Sequence, residues 1–84
     1  MKKSYKVIYS KQVKGIFSEE KFLALNFFKA FDEITKDFTN VSFHNIKYIR
    51  ENYYVLKINN YNALFQVLKN KNLIFVTGLK ESKN

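Results

Sequence analysis

Residues Asn52–Val67 read NYYVLKINNYNALFQV, and the reading of this stretch decides the fold. Tyr53–Ile58 (YYVLKI) and Tyr61–Leu68 (YNALFQVL) are rich in β-branched and aromatic residues, which suit a pleated, half-buried strand. Asn59-Asn60 between them is a two-residue connection of the kind that tolerates the positive φ of a tight hairpin. On the first strand Tyr53, Val55 and Lys57 share one face while Tyr54, Leu56 and Ile58 share the other, because successive side chains alternate. Lys57 is therefore expected beside a tyrosine on one side of the sheet. By the same alternation, only one of Tyr53 and Tyr54 can stack on a nucleic-acid base from a given side.

Outward from the hairpin, Asn70-Lys71-Asn72 turns the chain and Leu73–Thr77 (LIFVT) is an apolar run suited to a central strand. Gly78 closes that strand, and LKESKN is expected as a short mobile tail. Toward the N-terminus, Tyr5–Tyr9 (YKVIY) reads as a strand with Tyr5, Val7 and Tyr9 on one face. Lys11–Phe17 (KQVKGIF) fits either a short helix broken at Gly15 or a connection. Ser18 is the expected N-cap of the main helix, with Glu19 and Glu20 in a first turn that favours negative charge. Lys21 stands where a capping box would need Glu or Gln. Ala24, Phe27, Phe28, Phe31, Ile34 and Phe38 then recur at spacings of three and four, drawing a core-facing stripe. Lys29–Glu33 and Asp32–Lys36 are opposite charges at i,i+4 on its wet side. Thr39–Asn45 (TNVSFHN) ends the helix as a loop or short extended piece. The expectation is one α+β domain over 1–84, a helical segment packed on a small, mostly antiparallel sheet in the order β-α-β-β-β.

Composition sets outer bounds. At 84 residues the chain makes one domain, and its nine Phe and six Tyr supply a core where a disordered segment would have few aromatics. The absence of Cys excludes a disulfide framework and a thiolate metal site, and fits a reducing compartment. MKKSYKVIYS starts basic, but its apolar stretch is too short for a signal peptide, and no run approaches a membrane span. A cytoplasmic protein with no membrane partner is expected. The net charge of +8 favours polyanionic partners such as nucleic acid or ribosomes. Fourteen of the fifteen cations are Lys, which is also what an AT-rich genome writes on any surface.

Chemical motifs narrow the field further. There is no Gly-rich phosphate loop, no paired Cys or His, and no nucleophile with an identifiable base. Glu51 lacks the partner carboxylate that glycoside chemistry needs. His44 is the only histidine and makes a poor metal site by itself, so neither metal nor cofactor is expected. What remains is a cationic set around the hairpin: Lys47, Arg50, Lys57 and, after the last strand, Lys80. Cleaving RNA without a metal requires the 2′-hydroxyl to attack its own phosphate, with protein charge stabilising the pentacoordinate transition state and side chains moving protons. Lys and Arg can supply the charge, and Tyr or a perturbed Lys can move the protons.

Taken in order, KVIYSKQVK (6–14), the helical segment, YYVLKINNYNALFQV (53–67) and LIFVTGLKE (73–81) resemble the RelE/ParE toxin superfamily of toxin–antitoxin systems. That family has a hairpin of the form Y-R-x-R-x-G-x-Y-R-x-x-F and an apolar strand ending in V-G-x-R or V-G-H-R. The resemblance implies a bacterial β–α–(α)–β–β–β domain with a protein antitoxin as partner. It implies a ribosome-dependent mRNA endoribonuclease, or an inhibitor of DNA gyrase in the ParE branch. Lys57 matches a frequent basic position on the second strand, Tyr61 the hairpin tyrosine, Gly78 the family glycine and Lys80 the following arginine. The resemblance assigns Lys57, Lys80 and Tyr61 to catalysis, and with the cationic set and the strand alternation it leaves Lys47, Arg50, Tyr53 and Asn62 for RNA binding. Asn62 stands where a frequently catalytic arginine is expected, and the residues after Lys80 hold no tyrosine. A degenerate relative is one reading of those departures. The alternatives are a non-enzymatic inhibitor on the same fold, or a small basic phage or plasmid counter-defence protein that binds gyrase, the ribosome or another nucleoprotein.

Overall fold

The computed structural model describes residues 5–36 and 45–82; Phe38, His44 and all of the expected 39–45 connection except Asn45 lie outside them. The described elements run β1 (Lys6–Tyr9), α1 (Lys11–Glu19), α2 (Lys21–Lys36), β2 (Asn45–Arg50), β3 (Tyr53–Ile58), β4 (Tyr61–Leu68) and β5 (Leu73–Glu81). The α+β class and the mostly antiparallel sheet are as the sequence implies. The element order gains a second helix and a further strand over β-α-β-β-β. The five strands lie in the order β1-β5-β4-β3-β2, with β1 and β5 parallel and the other pairs antiparallel.

The hairpin forms as its sequence dictates. Ile58 pairs with Tyr61 across the turn, and Asn59 adopts the left-handed region at φ 55°. Asn72 does the same at φ 50°, where a short 3-10 turn over Lys69–Lys71 delivers the chain into β5. Asparagine tolerates that region better than most residues.

The helices begin elsewhere than the local signals suggest. Ser10 caps the first helix, its hydroxyl oxygen accepting from the Val13 N–H at 3.3 Å, and the main helix α2 starts at Lys21 without Ser18 as its cap. The Ser10 hydroxyl also donates to the Thr77 carbonyl oxygen of β5 at 2.9 Å. Ser18 sits inside α1 and donates to the Gly15 carbonyl oxygen, so Gly15 is a helical residue and no breaker. The chain turns at Glu20 before α2, so Glu19 and Glu20 lie at the end of α1 and not in a first turn.

One face of the sheet holds the core. Leu56, Ala63, Phe65, Val67, Ile74, Val76 and Leu79 are buried there against Val13, Phe17, Phe27, Phe31 and Ile34 of the helices. Phe65 meets Phe31 edge-on at 5.1 Å and stacks on Tyr54 at 5.7 Å. Phe28 departs from the expected stripe and is 43% exposed, in edge contact with Tyr9 and Phe17. Of the two expected helical ion pairs, Asp32–Lys36 closes at 3.3 Å on the solvent side.

Strand β5 continues through Glu81, so Leu79, Lys80 and Glu81 are strand and not tail, while 83–84 lie outside the described residues. Leu64 pairs with Gly78 and Phe65 with Val76, which leaves Thr77 as an extra residue in a bulge. The bulge reverses the alternation: Ile74, Val76 and Leu79 all reach the core, although 76 and 79 differ by an odd number. Beyond Tyr9, β1 no longer covers β5, and α1 does so instead. Ser10 and Gln12 donate to the Thr77 and Leu79 carbonyl oxygens along that edge, which satisfies polar groups an open edge would leave free.

Two outcomes follow from this architecture. Ser10→Ala removes the cap and the tie to the bulge together and should cost about 1–2 kcal/mol in urea unfolding, whereas Ser18→Ala should stay within about 0.5 kcal/mol. Burial pushes the Tyr9 phenol up to about 12. An unfolded tyrosine ionises near about 10, so between those values the unfolded state has lost a proton that the folded state keeps, and stability falls as pH rises through the window. Tyr9→Phe should flatten that decline, measured as the urea midpoint against pH.

Candidate nucleic-acid interface

Among the described residues the second face of the sheet has no helix on it, because α1 and α2 pack on the side that holds the core. Cross-strand pairing arranges this open face in rows. Lys57 of β3 pairs with Asn62 of β4, and Asn62 pairs with Lys80 of β5. In the next row Lys47 pairs with Val55 and Val55 with Leu64. The third row runs Arg50, Tyr53, Gln66, Phe75 and Ile8 across all five strands, with Arg50 returned to this face by a bulge at Ile49. Lys6, opposite Leu73, completes the far corner.

Lys80 owes its position to the bulge at Thr77. Regular alternation from Val76 would have turned Lys80 into the core and Leu79 to solvent. The extra residue exchanges them and sets Lys80 beside Asn62. Neighbouring strands lie about 4.8 Å apart, so Lys57 and Lys80 flank Asn62 within about 10 Å of each other. Asn62 is itself oriented by donating from Nδ2 to the Ser82 hydroxyl at 2.6 Å.

Charge is distributed unevenly over the molecule. The open face carries Lys6, Lys47, Arg50, Lys57 and Lys80, and no carboxylate projects from its strands. The two helices with the Glu20 linker carry five lysines against four carboxylates, close to neutral. Among the described residues cations are as many on the helix side as on the open face; what differs is the carboxylates, whose absence from the open face of the strands leaves the net positive charge there.

Six of the seven residues singled out from the sequence, namely Lys47, Arg50, Tyr53, Lys57, Asn62 and Lys80, therefore meet on one face. Tyr61 does not join them. It pairs with Ile58 and Glu81 and packs on the core side of the sheet. The Glu81 carboxylate across the strand pair holds its phenol above the ordinary tyrosine range, with burial and Glu20 adding to the effect. The signal was present in the sequence: a two-residue turn fixes Ile58 opposite Tyr61, and Ile58 faces away from Lys57. Lys6, Gln66 and Phe75 were missed, although the alternate residues of LIFVT needed some environment of their own.

The arrangement can neutralise phosphates and offer ring faces to bases. It places no tyrosine beside Lys57, Asn62 and Lys80 for proton transfer. Among the described residues no group of three His, Cys, Asp or Glu could hold a metal ion. On the helix side, a groove of about 590 Å³ lies between α1 and α2, lined by Tyr9, Phe17, Leu25 and Phe28 with Lys14 and Lys21. No helix among the described residues is long and apolar enough to cross a membrane.

Compared with protein-family models, curated proteins and solved structures, the chain has no match in any of the three.

Proposed function

We propose that the protein acts on RNA through the open face of its sheet, as a toxin of the RelE/ParE kind or a degenerate relative of one. The observation that carries this reading is the row Lys57–Asn62–Lys80, set in a face of five cations without a carboxylate. The element order, a strand, two helices and then antiparallel strands, supports the resemblance, since the two-helix form is among those it implies. In this reading the target is mRNA on the ribosome, the neutralising partner is an antitoxin protein, and the site of action is the cytoplasm.

Two facts favour inhibition by binding over cleavage. The open face supplies electrostatic stabilisation from Lys57 and Lys80, but Tyr61, the residue assigned to proton transfer, lies on the opposite face. Asn62 in place of an arginine adds no fixed charge. A non-cleaving inhibitor that occupies a nucleic-acid-bearing target, the ribosome before gyrase or another nucleoprotein, fits those two facts better than a nuclease.

The test is binding of a fluorescein-labelled single-stranded RNA followed by anisotropy across a salt series. Lys57→Ala and Lys80→Ala should each weaken binding and lower the slope of log K against log salt by about 0.7, as loss of one phosphate contact on a single strand does. Tyr61→Phe should leave both unchanged. Affinity that ignores Lys57 and Lys80 would sink the reading. Primer extension on a translated mRNA then separates the two modes: intact message with arrested translation marks the inhibitor, and discrete cuts lost in Lys57→Ala mark the nuclease.

A further inference from the structure

The row Tyr53–Gln66–Phe75 has a different chemistry from the lysine row and calls for a different ligand group. Gln66 is paired with Tyr53 on one side and with Phe75 on the other, so an amide stands between two aromatic side chains on adjacent strands. All three are part-exposed on the open face. The ring pairs between described residues involve Tyr9, Phe17, Phe27, Phe28, Phe31, Tyr48, Tyr54 and Phe65, all on the helix-facing side. Tyr53 and Phe75 therefore stand outside the aromatic core. Neither helix reaches them, and core packing gives no reason for rings at those two positions. Gln66 Nε2 lies 3.5 Å from Asn52 Oδ1, a contact at the outer limit that leaves the amide oxygen open.

We infer that Tyr53, Gln66 and Phe75 form a site for an unpaired nucleobase, which makes the open face selective for single-stranded over double-stranded RNA. The inference rests on the RNA-binding reading of that face and adds the part of the ligand recognised. Lys57 lies four residues along β3 from Tyr53, about 13 Å at the rise of a strand. A single strand laid along β3 and β4 thus presents phosphate to Lys57, Asn62 and Lys80 while a base a few nucleotides away rests over Gln66. Ring faces accept any base by stacking, and the Gln66 amide can both donate to and accept from a base edge. In an A-form duplex the bases are stacked and paired, and side chains on a flat sheet cannot enter the deep, narrow major groove. A duplex would keep only the phosphate contacts.

The experiment compares a labelled single-stranded 12-mer RNA with the same sequence as a blunt duplex, using the full chain, Tyr53→Ala, Tyr53→Phe and Gln66→Ala. The inference expects tighter binding of the single strand and, in Tyr53→Ala, a loss of roughly 5- to 150-fold for that probe alone. Tyr53→Phe should restore the affinity, because the ring is what stacks, and the salt slope should be the same in all variants, because no phosphate contact is lost. Gln66→Ala should narrow the spread of affinities among 12-mers of different base. Equal affinity for duplex and single strand, with Tyr53→Ala neutral and the salt dependence intact, would overturn the base site and leave the RNA-binding face standing. Failure of the full chain to bind either probe would overturn both.

Discussion

The pairing of β4 with β5, with Thr77 as its one unmatched residue, is the constraint on which the rest of the structure depends. Before the bulge, β5 sends Ile74 and Val76 into the core, and after it Leu79. A strand without the bulge would have to bury Lys80 or leave Leu79 in water, and an unpaired buried ammonium is far the more costly. The bulge is held from both sides, by the Thr77 hydroxyl donating to the Leu64 carbonyl oxygen and by Ser10 donating to the Thr77 carbonyl oxygen. Because Ser10 is also the cap of α1, the irregularity in the last strand fixes where the first helix starts. One local feature thus sets the register of the core, the placement of α1 over the edge of β5 and the address of Lys80.

The two faces of the sheet divide the work between them. The helix-facing side carries the large buried side chains and nearly all the hydrophobic stabilisation, with Phe27, Phe31, Phe65, Leu56 and Ile74 excluded from water. The open side is not simply polar, as the wet face of an antiparallel sheet commonly is. Val55, Leu64 and Phe75 remain part-exposed at its centre, Ile8 is 42% exposed, and the cations stand around them. An apolar centre within a basic rim is the pattern on which the proposed RNA-binding role rests. The charge of the chain, ambiguous as a count, acquires a direction once the strands are paired.

Much of this was legible in the sequence because the deciding interactions are local. Asn59-Asn60 fixes the β3–β4 hairpin, and alternation along Tyr53–Ile58 assigns Lys57 and Tyr53 to one face without any knowledge of the remaining chain. The start of α1 was not legible in the same way. Ser18 offers a capping hydroxyl ahead of the Phe stripe but lies inside α1, and the cap of that helix, Ser10, is held by a hydrogen bond to Thr77, 67 residues away. The bulge is equally silent, since Thr77-Gly78 looks like the end of a strand and proves to be its middle. Strand β2 was hidden by its mixed composition, with two cations and exposed Tyr48 and Ile49 along NIKYIR. The apolar run LIFVT misled in an instructive way. It does mark an interior strand, yet among the described residues only one of its faces is covered by helices, and Leu73 and Phe75 lie part-exposed on the other.

The measurement that bears most directly on this division of faces is lysine-reactivity footprinting of the folded chain with and without single-stranded RNA, read by mass spectrometry. RNA bound on the open face should protect Lys6, Lys47, Lys57 and Lys80 and leave Lys21, Lys29 and Lys36 on the helices unchanged. Protection centred on the helix lysines, or spread evenly over both sets, would contradict that placement.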